Sequence, residues 1–245
     1  MELAGRPVET DPSAVGWLTG ALAPAEPATV ASLLPPVFAA YARVLHPAIR
    51  YVGDDDVEVS WAEVAEENAS LAHPLMQWPA ITGGWEFVHE DDQSPLWDDS
   101  PAEGHLPASV AERLTAVLRR HTTTPDDCWF GVWNGFGWDA PVAEVAAIPD
   151  PLLLGREYRL LRGPVELAAT NLAPEPAEQS ANIWWPADRA WCVVTDIDLM
   201  STYVGGSTAC IESLLGAPDL EVVPSAALDR VDTGADLINP VPPRD

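Results

Sequence analysis

Apolar residues recur three or four positions apart in several segments of the chain, the spacing that places them on one face of a helix. The clearest segment covers residues 106–120, with its apolar stripe at Val110, Leu114, Val117 and Leu118. Two shorter stripes lie in residues 11–22, at Val15, Leu18 and Leu22, and in residues 60–72, at Trp61, Val64, Ala65 and Leu71. A fourth helix is predicted over residues 207–215.

The residues at the ends of these segments favour helix boundaries at the same places. Ser60 and Glu63 have the spacing of a capping box, in which each side chain bonds the other residue's backbone N–H. Ser207 can cap the fourth helix, and Gly216 can end it. Asp11 can cap the first helix, because it directly precedes a proline.

Short runs rich in aromatic and β-branched residues lie between the helices and predict strands at residues 128–133, 157–161, 182–185, 191–197 and 220–223. Asn134-Gly135 follows the first run and favours a tight turn with positive φ. Helices and strands do not alternate in the regular order of a parallel sheet. We therefore predict an α+β fold with a single mixed, mostly antiparallel sheet flanked by helices. Residues 1–238 are expected to form one domain, and residues 239–245 a frayed tail.

The chain is rich in tryptophan, with 11 in 245 residues. Trp184 and Trp185 are adjacent in a predicted strand, so their side chains point to opposite faces of the sheet. One of them must then meet a second packed layer, a partner or water. Core packing explains most of the tryptophans, and an aromatic groove for a ligand is the alternative.

The chain is strongly acidic, with a formal net charge of −26 and Arg as its only basic residue besides His. Nucleic-acid and anionic membrane partners are therefore not expected, since both need a basic surface. Schiff-base and P-loop chemistry is excluded because each requires a lysine. No metal or cofactor motif occurs, and we expect neither group. Three cysteines without C-x-x-C spacing and an N-terminus without an apolar segment predict a cytoplasmic protein.

The acidic charge is concentrated between residues 51 and 112, which hold 15 Asp and Glu and no Lys or Arg. Such a region is either a solvated face or a docking surface for a basic partner. The candidate partner-binding residues are its two densest runs: Asp54, Asp55, Asp56, Glu90, Asp91 and Asp92.

A second candidate site lies near the end of the chain, where a small molecule could bind. Gly205-Gly206-Ser207 precedes a predicted helix, so its N–H groups could hold an anion, although a plain turn and cap has the same sequence. Asp196 and Asp198 could hold a cation, but this spacing alone is a weak signal. The candidate ligand-binding residues are Trp184, Trp185, Arg189, Asp196, Gly205, Gly206 and Ser207.

Several segments between residues 30 and 223 carry a resemblance to known proteins. These segments are residues 41–47, 121–126, 128–135, 184–192 and 201–206. Together they resemble a family of uncharacterised actinobacterial cytoplasmic proteins, from which no activity follows. Leu34-Pro35 before an aromatic-containing helix, followed by a Trp- and Asn-Gly-bearing strand, is also similar to the SUKH superfamily of toxin-immunity proteins. That resemblance implies an acidic α+β protein that binds a toxin domain directly, and it carries over no site residue.

Two functions remain open from the sequence. The first is a non-enzymatic, immunity-like interaction protein that presents an acidic and aromatic surface to a basic protein. The second is a small-molecule-binding protein, or an enzyme of unknown reaction, with a pocket lined by Trp and Arg. A deep closed pocket lined by the candidate ligand-binding residues would favour the second function, and a broad exposed acidic face without a pocket would favour the first.

Overall fold

The computed structural model describes residues 2–3, 5–9, 12–19, 21–23, 28–136, 146–147, 156–174, 176–240 and 243. The strands are β1 (Glu2–Leu3), β2 (Arg6–Pro7), β3 (Ala40–Leu45), β4 (Ala48–Val52), β5 (Asp55–Val59), β6 (Cys128–Trp133), β7 (Ala146–Ala147), β8 (Glu157–Gly163), β9 (Ile183–Pro186), β10 (Trp191–Val194), β11 (Ser201–Gly206) and β12 (Val222–Ser225). The helices are α1 (Gly16–Thr19), α2 (Val30–Leu33), α3 (Trp61–Glu67), α4 (Trp78–Thr82), α5 (Ala108–Leu118) and α6 (Thr208–Leu215).

Eight strands form one sheet in the order β12-β3-β11-β10-β9-β6-β8-β7, and β1-β2 and β4-β5 are separate hairpins. Each strand pairing in the described ranges is antiparallel. The α+β fold, with a mostly antiparallel sheet and flanking helices, is confirmed.

Three hydrophobic cores surround this sheet. The first lies between one sheet face and helices α5 and α6, and it contains Val44, Leu114 and Trp184. The second covers the other face under α1 and α2, and it contains Leu18, Tyr203 and Trp185. The third lies under α3, α4 and the β4-β5 hairpin, around Trp61, Trp78 and Trp97. The sheet is thus packed on both faces.

The predicted helices are present, with corrected lengths. Helix α3 starts at the predicted capping box, where Ser60 accepts a hydrogen bond from the Glu63 N–H, but it stops at Glu67. Leu71, predicted to face inward on this helix, is 64% exposed. Helix α6 matches its prediction, with the Ser207 side chain accepting from the Cys210 N–H. Before α1 the chain forms a 3₁₀ turn, and the predicted cap Asp11 lies outside the described residues.

Two central strands and the β4-β5 hairpin are missing from the sequence prediction. Strand β3 pairs with β11 over six residues each, and neither was predicted. Strand β3 is apolar except for one arginine, so it lacks the alternation that marks a half-exposed strand. The glycine pair in β11 suggested a turn, but both glycines lie within the strand.

The predicted tight turn at Asn134-Gly135 is not the hairpin turn expected. Residues Asn134–Phe136 form a 3₁₀ turn, and Gly135 is not among the residues with positive φ. The ring of Trp133 lies against the Gly135 α-carbon, so a β-carbon there would meet it. Glycine is needed here because a side chain would clash with the Trp133 ring, and not because the backbone adopts a positive φ.

The C-terminal segment is anchored as far as Asn239, which the prediction assigned to the tail. Asn239 is buried, and its side chain bonds the N–H and the carbonyl of Leu71 at 2.9 and 3.0 Å. Asp236 accepts one hydrogen bond from the Asn239 side chain and one from the Asn239 N–H, and it lies 3.0 Å from the His73 ring. Most residues after 240 lie outside the described chain.

Candidate functional site

A cavity of about 720 Å³ lies where the second and third cores meet. Ligand pockets in proteins commonly enclose about 300–1,000 Å³. Its apolar lining comes from both cores and includes Leu33, Trp61, Trp78, Trp85, Met200 and Val231. Its polar lining includes Arg43, His89, Glu103, Asp196, Asp198 and Asp232.

Arg43 is the buried positive charge of this cavity, with 3% of its surface exposed. Its position in the middle of β3 places it on the same sheet face as Tyr41 and Tyr203, because side chains alternate along a strand. The guanidinium lies over the rings of Trp61, 5.1 Å from the ring centroid, and Tyr203, 5.9 Å away. These cation–π contacts hold the guanidinium between the two rings.

The hydrogen bonds of Arg43 leave part of its guanidinium without a partner. Nε donates to Ser201 Oγ at 2.9 Å, and Nη1 donates to the Met76 carbonyl at 2.8 Å and to the Pro74 carbonyl at 3.4 Å. A guanidinium has five N–H donors. Among the described residues, no acceptor bonds the two N–H groups of Nη2, and no carboxylate lies within ion-pair distance of Arg43.

Glu221 is a carboxylate whose pKa is affected by the charge of Arg43. Burial raises the pKa of Glu221, and the charge of Arg43 partly opposes this effect. Its oxygens, however, accept hydrogen bonds from the N–H groups of Trp61 and Ala62 at 2.7 and 2.9 Å. Glu221 thus caps α3 and does not form an ion pair with Arg43.

Carboxylates form another part of the cavity wall. Arg156 donates to Asp196 at 2.9 Å and to Asp198 at 2.8 Å, so one guanidinium pairs with two carboxylates. Glu103 lies 3.3 Å from the His89 ring. Burial raises the pKa of Glu103; the charge of His89 lowers it, and that of Asp198 raises it further. This wall therefore carries excess negative charge.

The structure does not gather the predicted ligand-binding residues around one cavity. Of these residues, only Asp196 lines the cavity beside Arg43. Trp184 and Trp185 are fully buried in the first and second cores. Arg189 has a positive φ of 56° in the β9-β10 turn, and its guanidinium lies 5.4 Å from the ring centroid of Trp17.

The Gly205-Gly206-Ser207 segment packs against Phe38 and Cys210. A β-carbon on Gly205 would lie 2.5 Å from the Phe38 ring, so glycine leaves room for that ring. A β-carbon on Gly206 would lie 3.3 Å from Cys210. The Ser207 hydroxyl accepts from the Cys210 N–H at 3.2 Å and acts as a plain helix cap.

The predicted acidic surface residues are exposed. Asp54, Asp55 and Asp56 lie at the tip of the β4-β5 hairpin and the start of β5. Glu90 and Asp91 line an open cleft together with Asp98, Asp99 and Glu103. Asp92 is exposed beside them and accepts from the Ser94 N–H at 3.2 Å.

Tyr51 joins the hairpin to this cleft. Its N–H donates to Asp98 at 2.7 Å, and its hydroxyl donates to Asp99. The hydrogen bond to Asp99 raises the pKa of Tyr51 to about 12, and the charges of Asp56 and Asp98 add to the shift. The carboxylates of the hairpin and of the cleft therefore form one acidic surface around Tyr51.

The three cysteines are buried and free of disulfides. Burial raises the pKa of Cys128 to about 12 and of Cys210 to about 11, and it also raises the pKa of Cys192. Thiolates are scarce at such pKa values, so these side chains act as small apolar groups.

Three further observations concern metal sites, membrane-spanning helices and similarity to known proteins. No group of three or more His, Cys, Asp or Glu side chains there is arranged to hold a metal ion. No described helix is long and apolar enough to cross a membrane. Comparison with models of protein families, with curated proteins and with solved structures finds no match.

The sequence reasoning missed Arg43 and the tryptophans of the cavity as site residues. A signal for Arg43 was present, because it is a lone charge within the apolar run of residues 40–45. A lone buried charge is costly and needs a structural or functional partner. For Trp61, Trp78 and Trp85 no signal was present, since spacing in the sequence does not distinguish a cavity wall from a core.

Proposed function

We propose that this protein binds a small molecule in the cavity beside Arg43. The observation that supports this function is the buried Arg43 guanidinium, which lines the cavity and lacks a carboxylate partner among the described residues. Burying an unpaired charge destabilises a fold, and a ligand anion would remove that cost. The apolar lining supplies the area that a ligand needs for affinity.

The fluorescent anion 1-anilinonaphthalene-8-sulfonate tests this function, because it combines an aromatic body with one negative charge. We expect saturable binding at one molecule per chain, with quenching of tryptophan emission. Ala28→Trp places an indole in the cavity and should abolish binding. The matched control Ala209→Trp, on the exposed side of α6, should leave it unchanged. Equal binding by both variants would contradict the proposal.

The second candidate function is the docking of a basic protein on the acidic surface around Tyr51. It is favoured by the way in which Tyr51 brings Asp56, Asp98 and Asp99 together. The resemblance to toxin-immunity proteins suggests a toxin domain as the basic partner. A one-sign surface speeds encounter with a partner of the opposite sign.

Association kinetics of a captured partner test this second function. We expect the association rate to fall steeply between about 50 and 500 mM salt, because screening shortens the range of the attraction. Charge reversal at Asp54, Asp55 and Asp56 should slow association, whereas reversal of Glu212, exposed on α6, should not. A rate that is independent of salt would leave the acidic region as a solvated face.

A further inference from the structure

We infer that the ligand of the cavity beside Arg43 is a short apolar peptide with free termini, of two or three residues. The inference rests on the proposed small-molecule function and gives it a chemical class. The C-terminal carboxylate of the peptide binds Arg43, and its N-terminal ammonium lies against the wall of Glu103 and Asp198. Its side chains lie against the tryptophans and aliphatic residues between these two places.

The carboxylate end follows from the free donors of Arg43. The two N–H groups of Nη2 have no acceptor among the described residues, and a carboxylate oxygen accepts a charge-assisted hydrogen bond from a guanidinium. A phosphate would bring about two negative charges into a cavity that also contains Glu103, Asp196, Asp198 and Asp232. A monoanion with a compensating cation meets less repulsion, so a zwitterion fits this cavity better.

The ammonium end follows from the acidic wall. Arg156 is shared between Asp196 and Asp198, and His89 is the partner of Glu103. The wall thus has three carboxylates for one permanent cation. Asp198 is also largely exposed, with 69% of its side chain accessible, so an ammonium can reach it without displacing Arg156. Burial raises the pKa of Glu103, as expected for a carboxylate that lacks a full counter-charge.

The length of the ligand follows from the separation of the two ends. Arg43 on β3 pairs with Tyr203 on β11, and Tyr203 pairs in turn with Val194 at the end of β10. Asp196 and Asp198 follow β10, so two strand spacings of about 4.8 Å each separate their side of the cavity from Arg43. A free amino acid carries both charges on one carbon atom and cannot reach two distant walls. Two or three extended residues span roughly 7–10 Å.

The body of the ligand is apolar because the middle of the cavity is apolar. Leu33 and Val231 contribute from the second core, and Trp78, Val88 and Met200 contribute from the third. The half-buried Trp85 lies at the same cavity. Polar side chains of a peptide would lose their water here without gaining partners, so large apolar side chains bind best.

Calorimetric titration with the dipeptide phenylalanyl-leucine tests the inference on the intact chain. We expect saturable binding at one molecule per chain. The C-terminal amide and the N-acetylated form of the dipeptide should each bind at least tenfold more weakly, because each loses one charged end. Free phenylalanine should also bind at least tenfold more weakly. Equal affinity for the dipeptide and either blocked form would overturn the inference.

Paired variants assign each end of the peptide to its wall. Asp198→Asn combined with Glu103→Gln should remove the preference for the free amine over the acetylated form and keep the preference for the free carboxylate. Arg43→Met should show the reverse pattern. Glu112→Gln, an exposed change on α5, should keep both preferences. If Arg43→Met does not fold, the affinity of the wild-type protein for the C-terminal amide of the dipeptide tests the same contact.

The outcomes separate this inference from the function on which it rests. Stoichiometric binding of 1-anilinonaphthalene-8-sulfonate without any binding of the dipeptide would overturn the peptide and leave a small-molecule site. Loss of binding of both molecules would overturn both proposals.

Discussion

Trp184 and Trp185 are neighbours in the chain, and their side chains are buried in two different cores on opposite faces of the sheet. Trp184 stacks on Phe130 with ring centroids 6.0 Å apart and meets Trp191 edge-on at 5.2 Å. Trp185 meets Trp17 edge-on at 5.9 Å. Both positions therefore act in stability, because neither ring lines the cavity beside Arg43.

The Trp184→Ala variant should lose about 3–5 kcal/mol of unfolding free energy, since it leaves a large hole in a packed core. Trp85→Ala, at the half-buried wall of the cavity, should lose less than about 1 kcal/mol. Urea unfolding followed by circular dichroism measures both. A small loss at Trp184 would contradict the core assignment.

Gly205→Ala should cost about 1–3 kcal/mol, because its β-carbon would lie 2.5 Å from the Phe38 ring within a paired strand. Gly216→Ala is the matched control, since a β-carbon there would be 3.4 Å from its nearest neighbour. Thermal unfolding of the two variants measures the difference. Equal melting temperatures would show that the Phe38 ring moves freely.

His46 makes the stability depend on pH. Its Nδ1–H donates to the Ala102 carbonyl at 2.6 Å, and its Nε2 accepts from the Thr202 hydroxyl at 2.9 Å. Burial lowers the pKa of His46 from 6.5 to about 3, so the folded ring stays neutral where the unfolded ring gains a proton. This contribution to stability is complete above pH 6.5 and is lost as the pH falls toward 3.

The lost contribution of His46 amounts to about 2 kcal/mol at pH 5, from 1.36 kcal/mol per pH unit below an unfolded pKa of about 6.5. Urea unfolding of the wild type and of His46→Gln between pH 7.5 and pH 5 tests this value. The variant should lose less stability than the wild type over that range. His121→Gln, outside the buried network, should follow the wild type.

The acidic surface around Tyr51 should make the fold sensitive to salt. Its carboxylates repel one another in the folded chain, and added ions screen that repulsion. We expect the melting temperature to rise between about 50 and 500 mM sodium chloride, and to rise less in a variant with Asp98→Asn and Asp56→Asn. A melting temperature that is independent of salt would show that the repulsion is already screened by water.

The fold class and three of the longer helices follow from local patterns in the sequence. The apolar residues of segment 106–120 fall on one face only in a helix. This segment forms α5 and the 3₁₀ turn that follows it. The Ser60-Glu63 capping box and the Ser207 cap depend on contacts within four residues, so they could be predicted without tertiary information. The acidic surface was likewise predictable, because charged side chains in a run without apolar residues stay in water.

Which residues face the cavity depends on contacts between distant parts of the chain. Strand β3 is continuous in its apolar pattern because layers cover both faces of the sheet, so the pattern does not reveal that it is a strand or which way Arg43 points. The cavity is made by residues from distant parts of the chain, near positions 30, 43, 61, 78, 87, 103, 198 and 232. Their proximity arises from strand pairing and core packing over more than 150 residues, such as Arg43 with Ser201, and periodicity within one segment carries no information about such contacts.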